Sequence, residues 1–306
     1  MADLLVSIFT TDILPIFLVA GTGFLLARYV AVPVRAISSV IFNALAPCLV
    51  FNMLVTSSIA AGDFGRMVLF CLLTTAILGV LARLVAIPLR LDRPELAAFL
   101  LVVLFSNTGN FGLPVVLFAF GREALAFATV YFVTSAVLAY TLGAFLAASG
   151  RRTAAQAVLG ILRIPVIYGF AMACGVLLLG FRMPVAVMRP IGLLSDAALP
   201  MMMLALGMQL ERAVTPRKPA VVAAAVGLSL LVSPAVALLV GTGIGLTGAA
   251  LQAAVVEASM PAAVVTTILA LEFDLDPAFP TAVVLATTVL SPFTVTVLIA
   301  YLQRAG

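Results

Sequence analysis

The chain has 306 residues, of which 64% are hydrophobic and 9% charged, with a mean hydropathy of +1.30 and a formal net charge of +4. Soluble domains run about 45–50% apolar and about 25% charged, so this composition excludes a soluble globular enzyme, a disordered chain and a nucleic-acid-binding module. The apolar residues run from one end to the other, and at about 20 residues per spanning helix they suffice for about ten spans with short connections. The alternating segments of about ten residues that a membrane β-barrel needs are absent.

In chain order, apolar runs bounded by charges and turn residues predict spans at roughly 8–27, 34–57, 66–89, 95–120, 123–148, 158–180, 185–210, 217–245, 249–271 and 277–302. The N-terminus carries Asp3 and no Lys or Arg before Arg28, so the first run reads as a retained helix rather than a cleaved signal. With the N-terminus outside, the inner ends hold Arg28, Arg35, Arg83, Arg90, Arg93, Arg151, Arg152, Arg163, Arg212, Arg217 and Lys218. The outer ends hold Arg66, Arg122, Arg182, Arg189 and Arg304. Eleven of the 16 basic residues then lie inside, which places both termini outside. Cys48, Cys71 and Cys174 lie in separate apolar runs and read as small apolar side chains. There is no histidine, so proton chemistry within the membrane falls to carboxylates.

Prolines align two halves, 1–150 and 151–306. Pro15 in span 1 matches Pro165 in span 6. Asn43 to Pro47 in span 2 matches Asp196 to Pro200 in span 7. Asn110 to Pro114 in span 4 matches Glu257 to Pro261 in span 9. Five spans per half make the second half inverted, the architecture of many secondary transporters.

Spans 4 and 9 carry the chemistry. Span 4 contains Ser106-Asn107-Thr108-Gly109-Asn110-Phe111-Gly112-Leu113-Pro114. Glycine costs about 1 kcal/mol and proline about 3 in a helix interior. The economical reading is a break near Gly109–Leu113, with Pro114 starting a new half-helix. Span 9 repeats the plan at Glu257-Ala258-Ser259-Met260-Pro261. Two such breaks should cross near the midplane, with half-helix N-termini facing an anion and freed carbonyls a cation. Asn107, Thr108 and Asn110 either bind substrate or satisfy the broken backbone, and Ser259 is a substrate-binding candidate in the second break. Glu257 lies roughly 12 Å from the outer end of its span, at about 1.5 Å per residue; at that depth it is the leading proton carrier or cation ligand. Asn43 and Asp196 are candidates to face the site, Asp196 as a second carboxylate. Asn52 and Gln209 read as interhelical hydrogen bonders.

Asn107 to Pro114 resembles the crossover motif of the auxin efflux carrier family. Asn43 to Pro47, Ile164 to Gly169, Leu199-Pro200 with Leu206 to Leu210, and Glu257 to Pro261 are similar to further blocks of that family. The resemblance implies ten helices in a five-plus-five inverted repeat, with broken helices 4 and 9, as in bile-acid sodium symporters and sodium–proton antiporters. It implies a scaffold of spans 1, 2, 6 and 7 and a transport domain of spans 3–5 and 8–10, moving elevator-style within a homodimer in the inner membrane. It implies that Asn110, Pro114 and Pro261 hold a substrate carboxylate. Two departures stand out: only Ser149 to Ala154 connect spans 5 and 6, and Glu257 occupies the second crossover. By analogy with the sodium symporters, Glu257, Asn107 and Thr108 form a sodium site. The expectation is a secondary transporter of a small organic anion, a mono- or dicarboxylate with auxin-like acids among the candidates. Coupling is to protons or sodium, with no other cofactor. A cation/proton antiporter on the same fold is the alternative; an intramembrane enzyme lacks the usual catalytic sets.

Overall fold

The structure is a computed structural model, and it describes residues 2–30, 32–57, 59–148, 164–211 and 218–305. These form α1 (Asp3–Val30), α2 (Val34–Thr56), α3 (Ala61–Ala86), α4 (Arg93–Leu104), α5 (Thr108–Ala147), α6 (Pro165–Leu178), α7 (Val185–Leu210), α8 (Pro219–Gly243), α9 (Gly248–Ala258), α10 (Val265–Glu272) and α11 (Ala278–Ala305). Seven of them (α1, α2, α3, α5, α7, α8 and α11) are long and apolar enough to cross a membrane, and α6 and α9 are shorter apolar helices. Large apolar side chains such as Leu18, Leu178, Leu193, Leu239 and Phe293 are exposed, an outer surface suited to lipid. The chain is therefore a polytopic helical membrane protein. The connection Ser149 to Ala154, the start of span 6 over residues 158–163, and Arg151, Arg152, Arg163, Arg212 and Arg217 lie outside the described residues.

Local chemistry explains the ends and bends. Asp92 and Glu95 cap α4 reciprocally: the Glu95 N–H donates to Asp92 Oδ1 at 2.8 Å, and the Asp92 N–H donates to Glu95 Oε2 at 3.3 Å. Gly121, with φ of 80°, divides α5 into two legs corresponding to the second half of span 4 and to span 5. Several helices carry wide π-helical turns. Four of these, Phe9–Ile13, Ile41–Leu45, Thr108–Gly112 and Leu228–Val232, stand immediately before Pro15, Pro47, Pro114 and Pro234. In each case the carbonyl four residues before the proline falls inside the wide turn. A proline ring collides with that carbonyl in an α-helix and offers it no N–H, so widening the turn relieves the clash.

The helices pack in two groups. In the first, α7 lies along α1 and α2, and α6 along α2. In the second, α9 packs against α5 and α8, and α3 packs against α4, α5 and α8, with α11 against α4 and α8. Asn52 on α2 donates to Ser195 Oγ on α7 at 3.2 Å, as expected of an interhelical hydrogen bonder. Arg28 pairs with Glu211 at 3.2 Å between the ends of α1 and α7, and Lys218 pairs with Glu95 between α8 and α4. The first group is held by backbone proximity. A Cβ on Gly207 of α7 would overlap the Ala20 carbonyl of α1, one on Gly23 of α1 would overlap the Leu204 carbonyl, and one on Gly169 of α6 would overlap the Pro47 carbonyl. Small residues allow this approach in membranes. Gly207→Val should therefore force α1 and α7 apart. It is expected to destabilise the protein by about 1–3 kcal/mol, read as a lowered melting temperature in detergent, whereas Gly175→Ala, with open space at its Cβ, should leave it unchanged.

Candidate substrate and coupling site

α4 ends at Leu104 and the next helical turn starts at Thr108; α9 ends at Ala258 and α10 starts at Val265. The two gaps meet. Ser106 and Ala262 form a single antiparallel bridge. The Asn107 N–H donates to Pro261 O at 2.6 Å, and the Ala263 N–H donates to Phe105 O at 2.9 Å. Each gap thus supplies hydrogen bonds that the other has lost by leaving the helix, which allows irregular backbone at membrane depth. Side chains complete the junction. Thr287 Oγ1 of α11 accepts from the Ala262 N–H at 3.1 Å. Ser106 Oγ donates to Glu257 O at 3.1 Å, and Ser233 Oγ of α8 to Ala258 O at 2.6 Å.

The break in span 4 is displaced from its expected place. It occupies Phe105 to Asn107 rather than Gly109–Leu113, because Asn107 Oδ1 accepts the Asn110 N–H at 3.2 Å and restarts the helix at Thr108. Gly109 and Gly112 are helical and serve close approach instead. A Cβ on Gly109 would lie 2.9 Å from the Phe132 ring, and one on Gly112 would overlap the Glu257 carboxyl. Pro114 is buried just after the wide turn, where it needs no N–H partner. In span 9 the gap is 259–264, so Glu257 belongs to the last turn of α9.

A cavity of about 230 Å³ adjoins the crossover. Asn107, Thr108 and Asn110 line it from the restart of α5, and Val264 and Val265 from the start of α10. Phe132 and Tyr140 of α5 face Phe42 of α2, Pro165 of α6 and Gln209 of α7 across it. Its described lining holds no charged side chain. Three buried polar atoms here have no hydrogen-bond partner: Asn107 Nδ2, Asn110 Oδ1 and Gln209 Oε1. Unpaired buried polar atoms are costly, about 1–3 kcal/mol each, and a ligand would relieve them. Gln209 lines the cavity, and its Oε1 makes no hydrogen bond to another helix.

Glu257 is completely buried, and neither carboxyl oxygen has a hydrogen-bond partner. It lies against Gly112 and within electrostatic reach of Tyr131 and Cys71. Ser259 Oγ is spent on Val255 O at 2.6 Å, and Pro261 contributes its carbonyl to the bridge rather than lining the cavity. Asn43 and Asp196 are not gathered with the others. Both are exposed, and Asn43 Nδ2 turns back to Ser39 O at 2.8 Å. The polar groups near the crossover that sequence reading passed over are hydroxyls: Ser233 and Thr287, which bond into the junction, and Ser229 and Tyr131, which line a small cavity behind it. The i,i+4 pair Ser229 and Ser233 in an apolar span was the available signal.

Helical spans with two unwound segments hydrogen-bonded across each other, beside a polar cavity, define a class of membrane transport protein. A family model described as membrane transport protein matches residues 8–159 and 149–299. The chain belongs to this family, that of the auxin efflux carriers. A protein described as an uncharacterized transporter from Methanothermobacter thermautotrophicus is 28% identical over 261 residues, covering 83% of this chain and 84% of its own length. Another uncharacterized transporter, from Methanocaldococcus jannaschii, is 26% identical over 219 residues, 70% of this chain and 71% of its own. A probable auxin efflux carrier component from Oryza sativa is 33% identical over 118 residues, 38% of this chain but 21% of the rice protein.

Proposed function

We propose that the protein is a secondary active transporter of a small organic anion, coupled to a proton or sodium gradient. The observation that carries this reading is the Asn107 Nδ2 donor, buried without a partner beside the Asn110 side chain, in a cavity next to two half-helix N-termini. Helix N-termini and amide donors hold a carboxylate without a cationic side chain. Phe42, Phe132, Tyr140 and Ile268 give the cavity apolar walls. With no Lys or Arg in the described lining, the site favours one carboxylate on an apolar body over a dicarboxylate. Glu257 is the coupling group, because a buried unpaired carboxylate requires a cation or proton for compensation.

The rest of the mechanism follows the repeat. Ten spans, in two inverted halves of five, put the crossover between the halves. Spans 1, 2, 6 and 7 form the scaffold, in keeping with the close backbone packing of α1 with α7 and α2 with α6. Spans 3–5 and 8–10 form the part that carries the crossover past it, elevator-style, within a homodimer in the inner membrane. Both termini are outside, so the cavity, near the helix ends that bear Arg28 and Glu211, faces inward.

The test is a melting-temperature screen of purified protein against malonate, malate, lactate and indole-3-acetate, with and without sodium and at two pH values. A ligand that binds only the folded state raises the melting point by mass action. A shift with an apolar monocarboxylate that grows with sodium or with lower pH is the expected result. A shift with sodium alone, and with none of the acids, turns the reading to a cation/proton antiporter.

A further inference from the structure

We infer that a second, water-sized cavity behind the crossover is a sodium site, with the oxygens of Thr75, Ser106, Tyr131, Ser229 and Ser233 as its donors. The inference deepens the coupling half of the proposed function and rests on it for the ion's role in transport. The cavity measures about 10 Å³, lies among α3, α4, α5, α8 and α9, and is distinct from the one lined by Asn110. That volume admits about one water or one small ion.

Three of its hydroxyls have already committed their protons. Thr75 Oγ1 donates to Cys71 O at 2.7 Å, Ser106 Oγ to Glu257 O at 3.1 Å and Ser233 Oγ to Ala258 O at 2.6 Å. A hydroxyl whose proton is engaged offers its lone pairs elsewhere. The fourth, Ser229 Oγ, belongs to a residue 4% exposed and has no partner at all. The lining also includes Val102 to Leu104 and Ala258, the last residues of α4 and α9. Helix C-termini carry partial negative charge and carbonyls that lack an intrahelical partner. Two of them converge here, as half-helix C-termini do at coupling-ion sites.

Neutral oxygens around so small a space select a hard cation. Divalent ions take carboxylate ligands, and no carboxylate lines this cavity. A single negative group lies close by: Glu257, within electrostatic reach of Tyr131, which is itself part of the lining. When that carboxyl is ionised, one monovalent cation balances its charge and a water molecule does not. The cavity and the carboxylate share the backbone of residues 257–258, so filling the cavity and organising the crossover are linked.

The experiment is the melting temperature of the full chain in detergent, titrated with sodium chloride against choline chloride at constant ionic strength and without any organic acid. A saturable rise specific to sodium is expected for the wild type. Ser229→Ala and Thr75→Val should each raise the half-saturating sodium concentration by roughly tenfold or more. Thr75→Val keeps the side-chain shape, so it carries the same expectation if Ser229→Ala does not fold. A wild type indifferent to sodium overturns the site, as does a sodium response unchanged in both variants. Acid binding is scored separately by the carboxylate screen. A sodium response lost in these variants, in a protein that binds none of the acids, upholds this site and removes the organic-anion reading; the reverse pattern removes the site alone.

Discussion

Asn110→Ala is expected to weaken binding of the transported acid by roughly 10- to 150-fold while leaving the melting temperature of the ligand-free protein close to wild type. The expectation follows from what Asn110 does and does not touch. It is 5% exposed and lines the cavity, and its Oδ1 has no partner in the protein. Truncation removes no hydrogen bond made by this oxygen and relieves one buried unsatisfied atom, so the fold loses little. The bound state loses the hydrogen bond that Asn110 Nδ2 would donate to the carboxylate, worth about 1.5–3 kcal/mol, or roughly 10- to 150-fold in affinity. Asn107→Ala is the informative contrast. Asn107 Oδ1 caps the restarted helix at the Asn110 N–H, so its loss should lower the melting temperature by the equivalent of about 1 kcal/mol as well as weaken binding. Calorimetry with the acid identified in the screen, alongside thermal melts, separates the two effects. Wild-type affinity in Asn110→Ala would move the substrate away from the crossover.

The sequence made the helices and the two breaks legible because their signals are local. Apolar runs end at charges, and Pro114 and Pro261 stand among polar residues in otherwise apolar spans. It misplaced the first break by several residues because glycine reads as a breaker. Here Gly109 and Gly112 are helical and are small for the sake of Phe132 and Glu257, a tertiary reason with no local trace. Asn43 and Asp196 show a second limit. Aligning prolines fixes depth along a helix but not rotation around it, and one residue turns the face by about 100°, a consequence of 3.6 residues per turn. Ser38 and Phe42 line the cavity, while Asn43, one position on, does not. Ser195 is buried against Asn52, while Asp196 beside it is exposed. The hydroxyls of the proposed sodium site gave only the weak signal of the Ser229–Ser233 pair, for a related reason: serine and threonine are common in membrane helices, where bonding back to the preceding turn satisfies them. Only their convergence from α3, α5, α8 and the unwound segment after α4 distinguishes them.

Glu257→Gln should stop gradient-driven uptake, lowering it by more than about tenfold, while the acid still binds and exchanges across proteoliposome membranes. Glutamine keeps the size and the α9 position and removes only the charge, so what disappears is the demand for a compensating cation. In the wild type that demand is severe: both carboxyl oxygens are buried without a hydrogen bond, a state that costs several kcal/mol unless a proton or cation accompanies it. Movement of the loaded crossover is thereby tied to the presence of the cation. With a neutral amide the crossover can move with or without it, so exchange persists and accumulation fails. Sodium should also lose its effect on the melting temperature in this variant, since the ion held by the hydroxyls loses its counter-charge. Gly112→Ala approaches the same group without altering its charge. The added Cβ would overlap the Glu257 carboxyl and displace it from its place against the restarted helix. If position as well as charge matters, Gly112→Ala should impair sodium-dependent uptake and acid binding together, because Gly112 and Asn110 share one turn. Undiminished gradient-driven uptake in Glu257→Gln would instead reduce this carboxyl to a structural part of the break, and coupling would have to be sought outside the crossover.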